Sequence, residues 1–142
     1  MNQPISNEDP VGLVELRIPC RAEWVALARL SSAAVASRMH FSIDEIEDVK
    51  LAVAEACTNA IQHAEGSAFM EIRCETSADG LRITVRDYGR GTVPEHIVPR
   101  DLEDARVGGL GVFLIRSLMD DVSYDVHAEN GTSLTMFKRR PQ

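Results

Sequence analysis

The chain lacks the cysteine patterns that mark disulfide frameworks and zinc sites. Its three cysteines, Cys20, Cys57 and Cys74, are widely separated and include no CxxC pair. An odd and sparse set of cysteines is typical of a reducing compartment, where structural disulfides are rare. We therefore expect free thiols in a cytoplasmic protein.

The chain also lacks concentrated positive charge and long apolar runs. Lys and Arg number 15 against 22 Asp and Glu, so the net charge is −7, and no basic run precedes Lys138-Arg139-Arg140. Proteins that follow nucleic-acid phosphates usually present a basic face, so direct nucleic-acid binding is not expected. The polar N-terminus has no signal-peptide pattern, and no apolar run approaches membrane-spanning length. We expect no membrane contact.

What the sequence does contain is an ordinary globular composition. Hydrophobic residues make up 44% and charged residues 26% of 142 residues, which favours one domain with a real core. Residues 1–10 are polar, contain two prolines and are predicted to form a flexible arm. The remaining residues, 11–142, are predicted to form a single domain.

Hydrophobic periodicity and turn residues predict interspersed helices and strands. Ser42 and Glu45 form a capping-box pattern at the start of a helix that should end near Ala64, and Asn130-Gly131 predicts a late hairpin. The other predicted elements are strands at 14–18, about 68–75, 81–88, 122–127 and 132–138, and helices at about 22–39 and from near Gly111 to Met119. This pattern indicates an α+β two-layer sandwich, with a mixed, largely antiparallel sheet and helices on one face. Residues 89–107 are predicted to form a functional loop or lid.

The first motif is a polar stripe on the second long helix. Glu55, Asn59 and His63 are each four residues apart, and small residues lie beside them. They border the apolar face, so they could serve a site or only the solvated margin of the core. His63 is more simply a hydrogen-bonded structural histidine.

The second motif follows a strand. Period two places Asp87 on the inward face, where a carboxylate needs a partner and could accept a hydrogen bond from an exocyclic amine such as that of adenine. Gly89 and Gly91 would let the backbone turn tightly beside a ligand. An ordinary turn after a strand is the alternative.

The third motif opens an apolar helix. Gly108, Gly109 and Gly111 surround Leu110, and backbone N–H groups at a glycine-rich helix start can bind an anion. Neither a Walker loop nor a dinucleotide fingerprint is present, because the required neighbouring residues are missing. A flexible loop before a helix is the alternative.

Together these residues resemble the Bergerat-type ATP-binding fold of gyrase-type topoisomerases, histidine kinases, a heat-shock chaperone family and MutL-type repair proteins. Glu55 to Asn59 resembles its N box, while two ranges, Asp87 to Gly91 and Gly109 to Gly111, resemble its two glycine boxes. Gly131-Thr132 resembles its later Gly-Thr element. Further segments resemble the RsbW/SpoIIAB group of anti-sigma factors that are also serine-protein kinases: Ala36-Ser37-Arg38-Met39, Asp44-Glu45-Ile46-Glu47-Asp48, Glu55-Ala56-Cys57-Thr58-Asn59-Ala60 and Leu118-Met119-Asp120-Asp121-Val122. The segment 92–107 is short for the ATP lid of that group.

The resemblance implies an ATP-dependent serine kinase that sequesters a sigma factor and phosphorylates its antagonist, the anti-anti-sigma protein. It implies ATP or ADP with Mg²⁺, an Asn59 oxygen on the metal, and Glu55 as the catalytic base. Asp87 and Thr132 would read adenine, and the amides of 108–111 would hold phosphates. Arg29 resembles a partner-contacting residue, and the group suggests a homodimer.

Two other functions stay open. The chain could be an anti-sigma binding switch without significant kinase activity, or a related stress-signalling kinase that does not bind sigma.

Overall fold

The computed structural model describes residues 12–64, 66–89, 106–127 and 131–141. In chain order the elements are β1 (Gly12–Pro19), a 3-10 helix (Ala22–Trp24), α1 (Val25–Ala36), a second 3-10 helix (Ser37–Met39), α2 (Ile43–His63), β2 (Phe69–Thr76), β3 (Gly80–Asp87), α3 (Arg106–Leu118), β4 (Asp121–His127) and β5 (Gly131–Arg139). The predicted arm at 1–10, the predicted lid segment with Gly91, and Asn130 of the predicted turn lie outside the described residues. The strands and helices that the periodicity predicts are otherwise present.

The strands form one sheet in the order β1-β2-β3-β5-β4. All four pairings are antiparallel, so the expectation of a largely antiparallel sheet is confirmed for the described strands. Strands β1 and β4 are its edges. In the sheet, β5 lies between β3 and β4. Because β3 and β5 are antiparallel, the start of β5 lies beside the end of β3.

Alternation along the strands separates the two faces of the sheet. Ile72, Ile83 and Met136 are fully buried on the inner face, while Arg82 and Arg73 lie on the outer face and are exposed. The buried side chains of the helices join the inner-face residues in one hydrophobic core. This is the predicted two-layer α+β sandwich, with the helices on one face.

Helix α2 begins at the predicted capping box. The Glu45 N–H donates to the Ser42 hydroxyl oxygen at 3.0 Å, and the Ser42 N–H donates to Glu45 Oε1 at 2.7 Å. Two N–H groups that the first turn leaves without helical acceptors are thereby satisfied. The helix then runs for 21 residues to His63, and its second half carries the polar stripe.

The predicted start of α3 near Gly111 is wrong. The helix begins at Arg106 and includes Gly108, Gly109 and Gly111. A glycine costs a helix only about 1 kcal/mol relative to alanine. Burial of Val112 and Ile115 later in the helix offsets that cost, because packing of an apolar face supplies most helical stability in proteins.

Candidate functional site

The inward carboxylate of Asp87 is held by three hydrogen bonds at the end of β3. Asp87 is only 4% exposed. Its Oδ2 accepts from the Thr132 hydroxyl at 2.6 Å, and its Oδ1 accepts from the N–H groups of Gly89 at 3.1 Å and Thr132 at 3.3 Å. Thr132, at the start of β5, is itself buried. These bonds offset the cost of burying a charged group.

A glycine makes this approach of β5 to Asp87 possible. Gly131 has a φ of +99°, a backbone conformation that residues with a side chain rarely adopt. A Cβ placed there would lie 2.1 Å from the carbonyl oxygen of Asp87 and 2.8 Å from its Oδ1. Within this Gly-Thr pair, Gly131 leaves room for the close approach of the two strands, and Thr132 supplies the hydrogen bonds to Asp87.

The turn after β3 is fixed from the other side by Ser67. The Tyr88 N–H donates to the Ser67 hydroxyl at 3.0 Å, and that hydroxyl donates to the carbonyl of Phe69 at 2.6 Å. Cys20 lies near the same place. Its thiol pKa is raised by burial and by the negative charge of Asp87, and a hydrogen bond with Ser67 opposes the rise. Hydrogen bonds from both sides therefore hold the turn that follows Asp87.

The polar stripe of α2 lies at the margin of the core, as the periodicity predicts. Asn59 is 8% exposed and Glu55 is half-buried, while His63 at the last residue of the helix is exposed. A buried amide must satisfy its donors and its acceptor locally. Asn59 is therefore a stronger candidate for a built site than the exposed His63.

Helix α3 lies directly against Glu55. A Cβ built on Gly111 would be 3.1 Å from Glu55 Oε1, which is tighter than an ordinary contact. The absence of a side chain at Gly111 therefore leaves room for the carboxylate. The structure thus brings the first and third sequence motifs into contact.

The early start of α3 changes the reading of the glycine motif. Gly108 lies in the first turn of the helix, where N–H groups have no intrahelical acceptor. Leu110 and Gly111 lie beyond that first turn, where N–H groups bond within the helix. An anion at this end would use the N–H groups nearest Arg106 and Gly108, with Gly109 at the margin.

Sequence reasoning missed Tyr124. It lies on β4 opposite Leu134, and it is a diagonal neighbour of Thr132 across the pairing of β4 and β5. Burial raises the pKa of the phenol, the polar side chains of Thr132 and Asn59 oppose the rise, and the charge of Asp87 adds to it. The inward parity that Tyr124 shares with Val122 could have revealed it, because a buried hydroxyl usually needs a partner.

The described residues include no group of three or more His, Cys, Asp or Glu side chains that could hold a metal ion. A hard cation here would need oxygen ligands from a bound molecule as well as from the protein. Mg²⁺ is commonly held in this way, by one or two protein oxygens and substrate phosphates. The side-chain oxygen of Asn59 fits such a site.

The first helix presents a different surface. Arg29 is half-buried on α1, and Trp24, Leu27 and Leu30 are exposed at three-residue spacing. Within the described part of the chain, no side-chain hydrogen bond links α1 to Asp87 or Asn59. Among the described helices, none combines the length and apolar character needed to cross a membrane.

Comparison with known proteins identifies similar sequences and folds. The profile of the histidine kinase-like ATPase domain family matches residues 18–138. The serine-protein kinase RsbW of Bacillus cereus (strain Q1) is 40% identical over 140 residues, covering 91% of this chain and 87% of that protein. The serine-protein kinase RsbW of Staphylococcus aureus (strain JH9) is 39% identical over 145 residues, covering 94% and 88%.

Two solved structures share the fold. A Mycobacterium tuberculosis structure of RsbU and RsbW domains matches with a TM-score of 0.68 at 16% identity and covers 93% of this chain, which spans 34% of that one. The histidine kinase domain of a blue-light-activated kinase from Erythrobacter litoralis matches with a TM-score of 0.57 at 19% identity, covering 97% and 66%.

Proposed function

Because this chain belongs to the RsbW serine-protein kinases, within the histidine kinase-like ATPase family, we propose that it is an anti-sigma factor. In this proposal it sequesters a sigma factor and uses ATP to phosphorylate a serine of the antagonist protein. The observations that carry the proposal are two contacts between elements that share one core. Thr132 on β5 donates to Asp87 at the end of β3, and Glu55 on α2 lies against Gly111 on α3. One ligand could therefore touch all three motifs.

The hydrogen bonds of Asp87 support a role in reading adenine. A carboxylate has about four lone-pair sites, two on each oxygen. Oδ1 already accepts two N–H groups, whereas Oδ2 accepts, from the described part of the chain, only the Thr132 hydroxyl. The remaining site on Oδ2 suits the exocyclic amine of adenine. Guanine carries an oxygen at that position, which a carboxylate would repel.

The chemistry of α2 supports the proposed transfer step. Asn59 would hold Mg²⁺, and the metal would supply positive charge that neutralises the phosphates of a bound nucleotide. Glu55, one turn earlier and half-buried, would accept the proton of the substrate serine or orient its hydroxyl. The N–H groups at the start of α3 would lie on the phosphate side, since Glu55 contacts that helix at Gly111.

Exposed apolar residues support protein partners. Leu27 and Leu30 on α1, beside Arg29, give a surface on which the sigma factor or antagonist would dock, with Arg29 as a polar contact. A homodimer is proposed as well, because the edge strand β1 exposes Leu13 and Val14. Sedimentation velocity over a range of concentrations would test it. We place this function in the cytoplasm, where sigma factors act.

Affinity isolation from the native cell tests the function. The tagged chain is incubated in lysate with Mg²⁺ and ATP or with Mg²⁺ and ADP, and captured proteins are identified. We expect a sigma factor and a small antagonist domain whose proportions change with the nucleotide. Purified antagonist should then gain phosphate on one serine from radiolabelled ATP.

The alternatives give different outcomes. Capture of sigma without phosphate transfer to any captured protein would favour a binding switch. Phosphate transfer without capture of sigma would favour a stress-signalling kinase of another pathway. Failure of the wild-type chain to bind ATP would contradict the proposal altogether.

A further inference from the structure

A cavity lies at the end of the sheet opposite to Asp87. Its volume is about 440 Å³, which is within the range of small-molecule sites. The start of β1, the end of α1 with the 3-10 helix that follows it, the end of β2 and the residue after β5 form its walls. Thr76 in this wall pairs with Leu81, six residues before Asp87 on β3. The cavity is therefore roughly 20 Å from the Asp87 carboxylate and is a separate site.

Cationic groups dominate the polar lining of this cavity. Arg38 belongs to the 3-10 helix, His40 follows that helix, and Arg140 follows β5. The N–H of Arg140 donates to the Asp79 carbonyl at 2.8 Å, which fixes the backbone that carries its guanidinium group. Within the described part of the chain, no Asp or Glu lines the cavity, and no ion pair involves these three side chains. In a chain of net charge −7, two unpaired guanidinium groups in one cavity favour an anionic ligand.

The hydroxyl groups of the lining are already engaged with the backbone. The Ser77 hydroxyl donates to the Gly80 carbonyl at 3.3 Å and accepts from the Gly80 N–H at 3.4 Å. The Thr76 hydroxyl donates to the Gly12 carbonyl at 3.4 Å. The polar recognition of a ligand would therefore depend on the two arginines and on His40, whose ring can donate through a nitrogen.

Apolar side chains complete the cavity. Val14 from β1, Val35 from α1 and Met39 from the 3-10 helix contribute to its walls. A ligand that fits this lining carries an anionic group for the arginines and an organic body for the apolar side chains. A phosphate monoester has a charge of about −1.5 to −2 at neutral pH and three acceptor oxygens, so it can bind two guanidinium groups at once. A carboxylate has a single charge and would leave one of them without a partner.

We propose that this cavity binds a small organic phosphate monoester, with Arg38 and Arg140 on the phosphate group and the apolar side chains against the organic body. The proposal goes beyond the kinase function and does not depend on it, because none of the three sequence motifs contributes to the cavity. It assigns a ligand to a part of the chain in which the sequence analysis placed no site.

The test is a titration of the ¹⁵N-labelled chain by NMR, at constant ionic strength, with three probes: inorganic phosphate, phenyl phosphate and benzoate. The amide signals of Ser77 and His40 report on the cavity, and those of Gly89 and Thr132 report on the Asp87 site. We expect saturable shifts at Ser77 and His40. Phenyl phosphate should bind about tenfold more tightly than inorganic phosphate, as burial of about 60 Å² of ring surface would give. Benzoate should bind about tenfold more weakly than phenyl phosphate, since it loses one charged hydrogen-bonding partner.

Variants of the two arginines identify the groups that hold the phosphate. Arg38→Gln and Arg140→Gln should each weaken phenyl phosphate binding by about tenfold, and the double variant should lose the saturable shifts. Arg82→Gln is the matched control, because Arg82 is exposed on the outer face of the sheet and does not line the cavity. It should bind phenyl phosphate as wild type does. The dispersion of the amide signals shows that each variant is folded.

Three results would overturn the proposal. One is the absence of saturable shifts at Ser77 and His40, including the case in which only Gly89 and Thr132 respond. Another is wild-type affinity for phenyl phosphate in the folded double variant. The third is equal affinity for benzoate and phenyl phosphate, which would exclude selection of a phosphate. Each of these results would leave the proposed kinase function intact, since that function depends on ATP binding and on phosphate transfer to the antagonist.

Discussion

At the scale of single residues, the Asp87 carboxylate depends on groups from two strands and a turn. Gly131 leaves room for β5 to approach. Thr132 donates two hydrogen bonds to the carboxylate, and the Gly89 N–H donates a third, to Oδ1. Polar groups buried in this way have a fixed geometry, because leaving any one unsatisfied costs about 1–3 kcal/mol. A small chemical change at Asp87 should therefore produce a measurable change in ligand affinity.

Asp87→Asn should weaken ATP binding by about 10- to 100-fold, which corresponds to one lost or reversed hydrogen bond to the base. An amide in place of Oδ2 would face the Thr132 hydroxyl and the adenine amine with its own donors. Calorimetry on the purified variant measures the change. Asp125→Asn, an equal charge change at an exposed position of β4, is the control. Unchanged ATP affinity in Asp87→Asn would exclude the adenine role.

Glu55→Gln should separate binding from catalysis. The amide keeps the shape of the side chain but takes no proton at neutral pH, so phosphate transfer to the antagonist should slow by about 10²- to 10⁴-fold. If the transition state of phosphate transfer is loose, the loss of rate should lie at the lower end of this range. ATP affinity should stay near that of wild type. Glu47→Gln, on the exposed part of the same helix, controls for the loss of charge. Wild-type transfer rates in Glu55→Gln would show that Glu55 is not the base.

At the scale of elements, α2 combines a stable start with functional residues three turns later. Its capping box lies at Ser42 and Glu45, while Glu55 and Asn59 lie in the second half of the helix. Stability and site chemistry are therefore separable along one element.

Ser42→Ala should lower the free energy of unfolding by about 1 kcal/mol, because the first turn loses its side-chain acceptor. Urea denaturation measures the loss, and nucleotide affinity should not change. Ser37→Ala is the control, since that hydroxyl donates to the carbonyl of Ala34 and caps no N–H group. Equal stabilities of the two variants would contradict the contribution of the capping box.

Gly111→Ala tests the contact between α2 and α3. Alanine favours a helix interior by about 1 kcal/mol over glycine, so the fold should be as stable as wild type or more stable. The added methyl group would press on Glu55 Oε1 at 3.1 Å and displace it. A misplaced catalytic group can cost about 10²-fold in rate, so we expect slower phosphate transfer in a stable protein.

The control for Gly111→Ala is Ser117→Ala on the exposed side of α3. It raises helix propensity without approaching Glu55. Loss of activity in both variants would point to a general effect on the helix rather than to the carboxylate.

At the scale of the whole molecule, the site joins elements far apart in sequence. Strands β3 and β5, helix α2 and the start of α3 are held in register by one core on the inner face of the sheet. A ligand that touches all of them should stabilise the native state as a unit.

ATP or ADP with Mg²⁺ should therefore raise the melting temperature. Ligand at 100 times its dissociation constant contributes about 2.7 kcal/mol, which is roughly 5–15 °C for a domain of this size. Differential scanning fluorimetry measures the shift. GTP is the matched control, because the guanine oxygen would face the Asp87 carboxylate. A similar shift with GTP would contradict adenine recognition by Asp87.

The sequence by itself determined the secondary structure of most of the chain and the residues of the three motifs. Period-two alternation placed Asp87 and Thr132 inward, and the Ser42 capping box marked the start of α2, because both signals are local. The combination of motifs also predicted the family and the α+β sandwich. These features can be predicted without knowing which elements are in contact.

The tertiary structure alone decided how the motifs meet. It extended α3 back through its glycines, because burial at Val112 and Ile115 outweighs a propensity cost that a local pattern cannot weigh. It set Gly111 against Glu55, and it placed Tyr124 diagonally across from Thr132 on the neighbouring strand. Contacts of this kind depend on the position of β5 between β3 and β4, which no short segment encodes. Hydrogen-bond partners across a sheet are set by register and packing, so they become visible only once the whole fold is assembled.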